Sequence, residues 1–176
     1  MLMALLVPMR NNLQLALLGM DVHEKIKISA SSSMAVLAIA SPLSLAAFKP
    51  QILPHVKHVL RFLAHTGSAF MVNAYPYFAY ASDPKGVVLD YALFSSKQGV
   101  KDTHIGFTYG SLFGAQIDAV HFAINAVGYK QHIPVIVSET GWPSNGDRNE
   151  TGAMMQNVQI YNSNLISYST CNTFRA

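Results

Sequence analysis

Apolar positions along the chain fall into two kinds of pattern, a helical period and short unbroken runs. Leu6, Met9, Leu13, Leu17 and Met20 recur at helical spacing, and Gly19 stands where a helix C-cap would end them. Ile26 to Ser29 reads as a short strand after the charged turn Asp21–Lys25. From Ala30 to Pro50 no period is sustained, which predicts a long loop. Pro54 suits the first turn of a helix running to about His65, which buries Ile52, Val56, Val59, Leu60 and Leu63 and ends at Gly67. Phe70 to Tyr75 is a strand stopped by Pro76, followed by an aromatic loop (Tyr77, Phe78, Tyr80), a turn at Asp83–Gly86 and a hairpin arm over Val87–Phe94. A helix from about Tyr109 to Val127 presents Leu112, Phe113, Gln116, Val120, Ile124 and Val127 on one face. Val135 to Ser138 is a β-branched run of the kind buried on both faces of a parallel sheet. A last helix near Asn157–Ser169 buries Val158, Tyr161, Leu165 and Tyr168.

Helices and short, non-alternating strands thus take turns along the chain, which predicts an α/β fold with parallel strands joined by right-handed crossovers. The strand starts recur about every 60 residues, longer than a minimal unit because the connecting loops are long. Three strands cannot close a barrel.

Composition narrows the function classes. At 176 residues, with 51% hydrophobic and 12% charged content, the chain is long enough for one domain with a sizeable core. No apolar run reaches the roughly 18 to 20 residues of a membrane span. The net charge is +3, but the basic residues are scattered, which argues against a nucleic-acid partner. Cys171 is the only cysteine, so no disulfide framework or zinc spacing is present. Met1–Met9 has neither the basic start nor the small-residue cleavage site of a signal peptide.

His55, His58 and His65 lie with Lys57 and Arg61 on the polar side of the second helix, where no carboxylate joins them to complete a metal site. They read as a solvated basic face. No serine-hydrolase elbow, phosphate-binding loop, dinucleotide fingerprint or zinc-protease string occurs. Asn149-Glu150-Thr151 fits the N-glycosylation acceptor, a tripeptide that also arises by chance.

Two strand ends carry the candidate chemistry. Asn73, Tyr75, Tyr77 and Phe78 follow one strand, and Glu139 and Trp142 follow the next. Carboxylate, amide and aromatics at the C-terminal ends of parallel strands suit a sugar site: rings stack on pyranose faces, amides and phenols bond hydroxyls, and a carboxylate attacks the anomeric carbon. The plainer alternatives are a carboxylate held in a structural ion pair and aromatics that are ordinary core.

At these residues the sequence resembles a known family. Val135-Ile136-Val137-Ser138-Glu139-Thr140-Gly141-Trp142-Pro143-Ser144 is similar to the signature of plant glycoside hydrolase family 17, the endo-1,3-β-glucanases and their lichenase relatives. Val72 to Tyr80, Leu89 to Phe94, Lys25 to Ser29, Phe62 to Ala64 and Tyr161 to Leu165 resemble further stretches of the family, in its order. The resemblance implies a partial (β/α)8 TIM barrel with three parallel strands and four helices. Residues 1–176 would form a single incomplete domain, from helix 4 to helix 7, without the N-terminal half and the last strand and helix. It implies an extracellular or cell-wall O-glycosyl hydrolase, monomeric and without cofactor or metal, that cleaves β-1,3-glucan with retention. Glu139 would be the nucleophile, and Asn73, Tyr75, Phe78 and Trp142 would bind substrate, the last two as stacking or packing groups.

Retention also needs a second carboxylic acid roughly 5 to 5.5 Å away. In the family that acid is the Glu of a Gly-Asn-Glu string, which does not occur in these residues. The expectation is therefore weak or absent hydrolysis by the chain as written, with a non-catalytic glucan-binding remnant or a fragment that does not fold as the alternatives. Gly114 also departs from the family, whose relatives usually carry Asp there.

Overall fold

The computed structural model describes residues 2–39, 42–129 and 133–170, with side chains from Pro8 onward. Cys171 and the side chain of Leu6 lie outside the described residues. The chain packs as two compact units, each assembled from two stretches: Met1–Asn73 with Asp118–Ser138, and Ala74–Ile117 with Glu139–Ala176.

The first unit opens with α1 (Leu2–Gly19) and holds the only sheet of more than two strands among the described residues. Its order is β1 (Ser31–Ser33), β4 (Phe70–Asn73), β7 (Val135–Glu139), and β1 and β4 run parallel with Ser31 opposite Met71 and Ser33 opposite Asn73. The parallel strands follow the α/β expectation. The first of them lies later than predicted, because the ladder forms where β4 offers a partner and leaves Ile26 half exposed.

The stretch read as a long loop is also partly ordered. It contains a small antiparallel pair, β2 (Leu37–Ile39) with β3 (Ala47–Phe48), and buries Val36, Leu37, Ala46 and Phe48. Helix α2 (Leu53–Thr66) matches its prediction, with Pro54 in the first turn and Gly67 at φ 64° capping the end through its N–H to the Leu63 carbonyl. Val56, Leu60 and Leu63 of α2 meet Phe70 and Val72 of β4, together with Val120 and Ile124 of α5 (Leu112–Ala126), in one core. Lys57, His58, Arg61 and His65 are exposed on the far side of α2, as the solvated face requires, whereas His55 of the same predicted set is half-buried.

The described residues of β7 pack on the core from one face. Val135 and Val137 pack against the core, while Ile136 between them is 50% exposed. Burial of β7 on both faces is therefore corrected: its β-branched composition reports the sheet but not the number of layers over it. The predicted apolar face of α1 is corrected as well. Met9, Leu13 and Met20 are exposed and Leu17 is half-buried, and among the described side chains of α1 the buried one is Arg10, at 6%. Its Nε and Nη1 have no hydrogen-bond partner, and it lines a cavity of about 230 Å³ with Ser31, Ser32, Ser33, His55 and Phe70.

The second unit is helical and aromatic. Pro76 starts a helix, α3 (Pro76–Ser82), where a loop was expected, since proline's fixed φ suits a first helical turn as well as it ends a strand. The predicted arm over Val87–Phe94 is instead α4 (Leu89–Ala92), and the hairpin lies later, between β5 (Val100–Lys101) and β6 (Thr108–Tyr109). Phe94 follows α4 at φ 61°, a strained angle for a bulky residue, held there by ring contacts to Phe113 (5.5 Å), Tyr161 (5.4 Å) and Tyr168 (5.3 Å). At Gly114 an added Cβ would stand 2.8 Å from the Tyr168 hydroxyl, so one of the two would have to shift. Helix α6 (Met155–Thr170) brings in Tyr161, which is fully buried.

Two stability measurements follow. Arg10→Leu, which removes a buried unpaired charge while keeping bulk, should raise the urea midpoint, by about 1 kcal/mol or more in stability. Burial pushes the Tyr161 phenol up to about 12 and the Tyr91 phenol above the ordinary tyrosine range. An unfolded chain ionises these groups near pH ~10. Stability should therefore hold below about pH 10 and drain away as the pH rises towards 12, with a shallower loss in Tyr161→Phe.

Candidate active site

Glu139 is the last residue of β7 and is exposed. Its backbone carbonyl accepts the Ala74 N–H at 2.9 Å, and its carboxylate Oε2 accepts the Tyr75 phenol at 3.1 Å. That hydrogen bond is the first cause of a Tyr75 ionisation raised above the ordinary value; partial desolvation and the carboxylate's charge add to it. Tyr75 is thus a protonated donor, not a phenolate, at neutral pH.

The strand is shaped to deliver this carboxylate. Phe70 N–H bonds the Pro134 carbonyl and Ala74 N–H bonds the Glu139 carbonyl, so the chain advances from 70 to 74 on one side and from 134 to 139 on the other. One extra residue on the β7 side is a bulge, the device that turns a side chain out of strict alternation. Accordingly, successive residues of β7 find partners two apart on the neighbouring segment: Ser138 Oγ donates to Asn73 Oδ1 at 2.7 Å, and Glu139 accepts from Tyr75. Asn73 belongs to the first unit, where its Oδ1 also accepts from Ser31 Oγ at 2.9 Å, and Ser31 and Ser138 share a short hydroxyl contact.

Within the second unit a line of rings runs from the carboxylate inward. Tyr75 lies 5.3 Å from Phe78, Phe78 5.8 Å from Tyr77, and Tyr77 meets Trp142 edge-on at 5.2 Å. The two ends differ in character. Phe78 is 65% exposed and offers a free ring face, whereas Trp142 is 7% exposed. The indole N–H donates to the Gly152 carbonyl at 2.8 Å, and that oxygen also accepts from Asn157 Nδ2 at 2.8 Å. Trp142 packs against the rings of Tyr77, Tyr80 and Tyr161. Gly152 itself is fixed at φ 81°, where a Cβ would stand 2.7 Å from the Tyr80 ring.

The structure therefore brings together Glu139, Tyr75, Phe78 and Trp142 in the second unit and places Asn73 in a hydroxyl cluster of the first. Sequence reasoning missed the support beneath them. Tyr161, read as helix core, turns its phenol to Thr140 Oγ1, directly after Glu139. The signal was available, because a fully buried Tyr in place of Phe needs a partner for its hydroxyl. Among the described residues no cluster of three or more His, Cys, Asp or Glu is placed to hold a metal ion. An exposed carboxylate that accepts a phenol hydrogen bond, beside an exposed aromatic ring, can act as a nucleophile towards a ligand carrying apolar ring faces and hydroxyls.

Trp142→Phe should cost about 1 to 3 kcal/mol in urea unfolding through the lost indole bond and bulk. Tyr75→Phe, at a half-exposed position, should change stability by less than about 0.5 kcal/mol.

A family model described as Glycosyl hydrolases family 17 matches residues 2–173. The chain is 42% identical over 163 residues to Glucan endo-1,3-beta-glucosidase 7 of Arabidopsis thaliana, covering 93% of this chain and 32% of that protein. It is 40% identical over 167 residues to Glucan endo-1,3-beta-D-glucosidase of Olea europaea, covering 95% and 36%. Among solved structures it superposes on CJP38, a beta-1,3-glucanase and allergen of Cryptomeria japonica pollen, with TM-score 0.89 and 39% identity, covering 96% of this chain and 51% of that one. The chain thus spans about a third of the length of these curated relatives and about half of the solved one.

Proposed function

Because the chain belongs to glycosyl hydrolases family 17, we propose that it carries the nucleophile side of a retaining endo-β-1,3-glucanase that works as a monomer on cell-wall glucan, outside the cell membrane. The observation that supports this reading best is the Tyr75–Glu139 hydrogen bond at the end of β7, with the open Phe78 ring beside it. In this reading a Glu139 oxygen attacks the anomeric carbon, the glycosidic C–O bond breaks, and a glycosyl ester forms that water later hydrolyses. Tyr75 keeps the carboxylate oriented while it attacks. Phe78 stacks on a glucosyl ring, and Trp142 holds the turn that presents Glu139.

The same chemistry requires an acid to protonate the departing oxygen, typically worth roughly 10²- to 10⁴-fold in rate. The family's Gly-Asn-Glu string is not in these 176 residues. The chain by itself is therefore a slow glucanase, able to form the ester only when the leaving group needs no proton. The exposed Phe78 ring favours one further reading, glucan binding without chemistry.

A dinitrophenyl β-laminaribioside, whose leaving group departs as the anion, separates the two. The expected result is a burst of dinitrophenolate with a glycosyl adduct on the Glu139 peptide, absent in Glu139→Gln and roughly tenfold slower in Tyr75→Phe. Reducing-sugar release from laminarin should be at least about 100-fold slower. A burst that survives in Glu139→Gln overturns the assignment. Laminarin retention without any adduct, weakened by Phe78→Ala, transfers the chain to the binding reading.

A further inference from the structure

We propose that Asn149 is an N-linked glycosylation site, occupied when the chain passes through a secretory compartment; this rests on the extracellular reading above. Asn149-Glu150-Thr151 is the single Asn-x-Ser/Thr tripeptide of the sequence, with Glu at the middle position where proline would forbid transfer. By itself such a tripeptide carries little weight, and its setting in the fold supplies the rest.

The loop is a closed polar turn. Glu150 N–H bonds the Asp147 carbonyl at 2.9 Å, and Glu150 Oε2 in turn accepts the Asp147 N–H at 2.8 Å. Asn149 lies between these residues, and Thr151 N–H reaches back to its carbonyl at 3.1 Å. Residues 144–151 are all exposed. Among the described residues neither the Asn149 amide nor the Thr151 hydroxyl has a hydrogen-bond partner, so both groups that a transferase reads are unspent. One residue later the chain is anchored, by the two bonds that the Gly152 carbonyl accepts from Trp142 and Asn157.

A glycan is added to the emerging chain before it folds, so the fold must leave the modified nitrogen outside. Here it does. A bulky sugar on Asn149 displaces no side-chain hydrogen bond, and the anchored Gly152 keeps the turn pointing into solvent. The transfer is balanced. The Asn149 amide nitrogen forms a bond to the anomeric carbon of a lipid-diphosphate-linked oligosaccharide. The carbon–oxygen bond to the diphosphate breaks and takes its electron pair, and the amide proton leaves.

The chain is fused behind a signal peptide and translated in the presence of microsomes, and the protease-protected product is examined. The expected product carries one glycan, removed by endoglycosidase H, absent in Asn149→Gln and in Thr151→Ala, and retained in Thr151→Ser. A protected chain without a glycan overturns the proposal, as does a glycan that persists in Asn149→Gln. Because translocation is imposed, failure here is distinct from failure of the extracellular reading, which is tested separately by recovery of the chain from cell-wall washes.

Discussion

A buried polar group must find a partner, and the second unit is built around one place where that requirement is met twice. The Gly152 carbonyl takes both the Trp142 indole N–H and the Asn157 amide. With it satisfied, the indole can be driven into the interior, where Tyr77, Tyr80 and Tyr161 close around it. The turn after β7 is thereby fixed from beneath, and the carboxylate at its start inherits that rigidity. Arg10 in the first unit is the counter-example, a guanidinium enclosed with two nitrogens unanswered. The second unit has such groups too, the Tyr77 hydroxyl and the Gln116 side-chain carbonyl, both buried without a partner.

The division of labour between the aromatics follows from burial. Trp142 and Tyr161 are interior and give the turn its shape, whereas Phe78 is largely exposed and Tyr75 is half-buried with its hydroxyl on Glu139. Rings that face inward specify geometry; rings that face water offer binding surface. An aromatic-rich loop in a sequence does not by itself say which of these each ring does.

Much of the architecture could be read from the residues. The stripe of α2 and its Gly67 stop, the β-branched run of β7 and the face of α5 each express one strong local preference, and the structure follows them. Failures occurred where a preference was ambiguous or a neighbour decided the outcome. Pro76 can end a strand or begin a helix; β4 already ends at Asn73, and Pro76 begins α3. Ile26–Ser29 has strand composition, yet the ladder forms over Ser31–Ser33, where β4 is within reach. Met9, Leu13 and Met20 keep helical period without reporting what covers them. For the site, Glu139 and Tyr75 were legible from type and order. The hydroxyl partners Thr140, Ser138 and Ser31 were not, because a serine or threonine is uninformative until its distance to another oxygen is known.

The bulge in β7 has a consequence for how this segment tolerates change. In a regular strand, orientation is set by parity, and each residue's face follows from its count along the ladder. Here the count is offset by one between Pro134 and Glu139. Exchanging Val135 for isoleucine or Val137 for leucine would preserve that offset, whereas removing or adding a single residue would abolish it. The information held in this stretch is therefore partly metric: it resides in the number of peptide units as much as in their side chains. Over evolutionary time such a segment should admit spelling changes far more readily than changes of length.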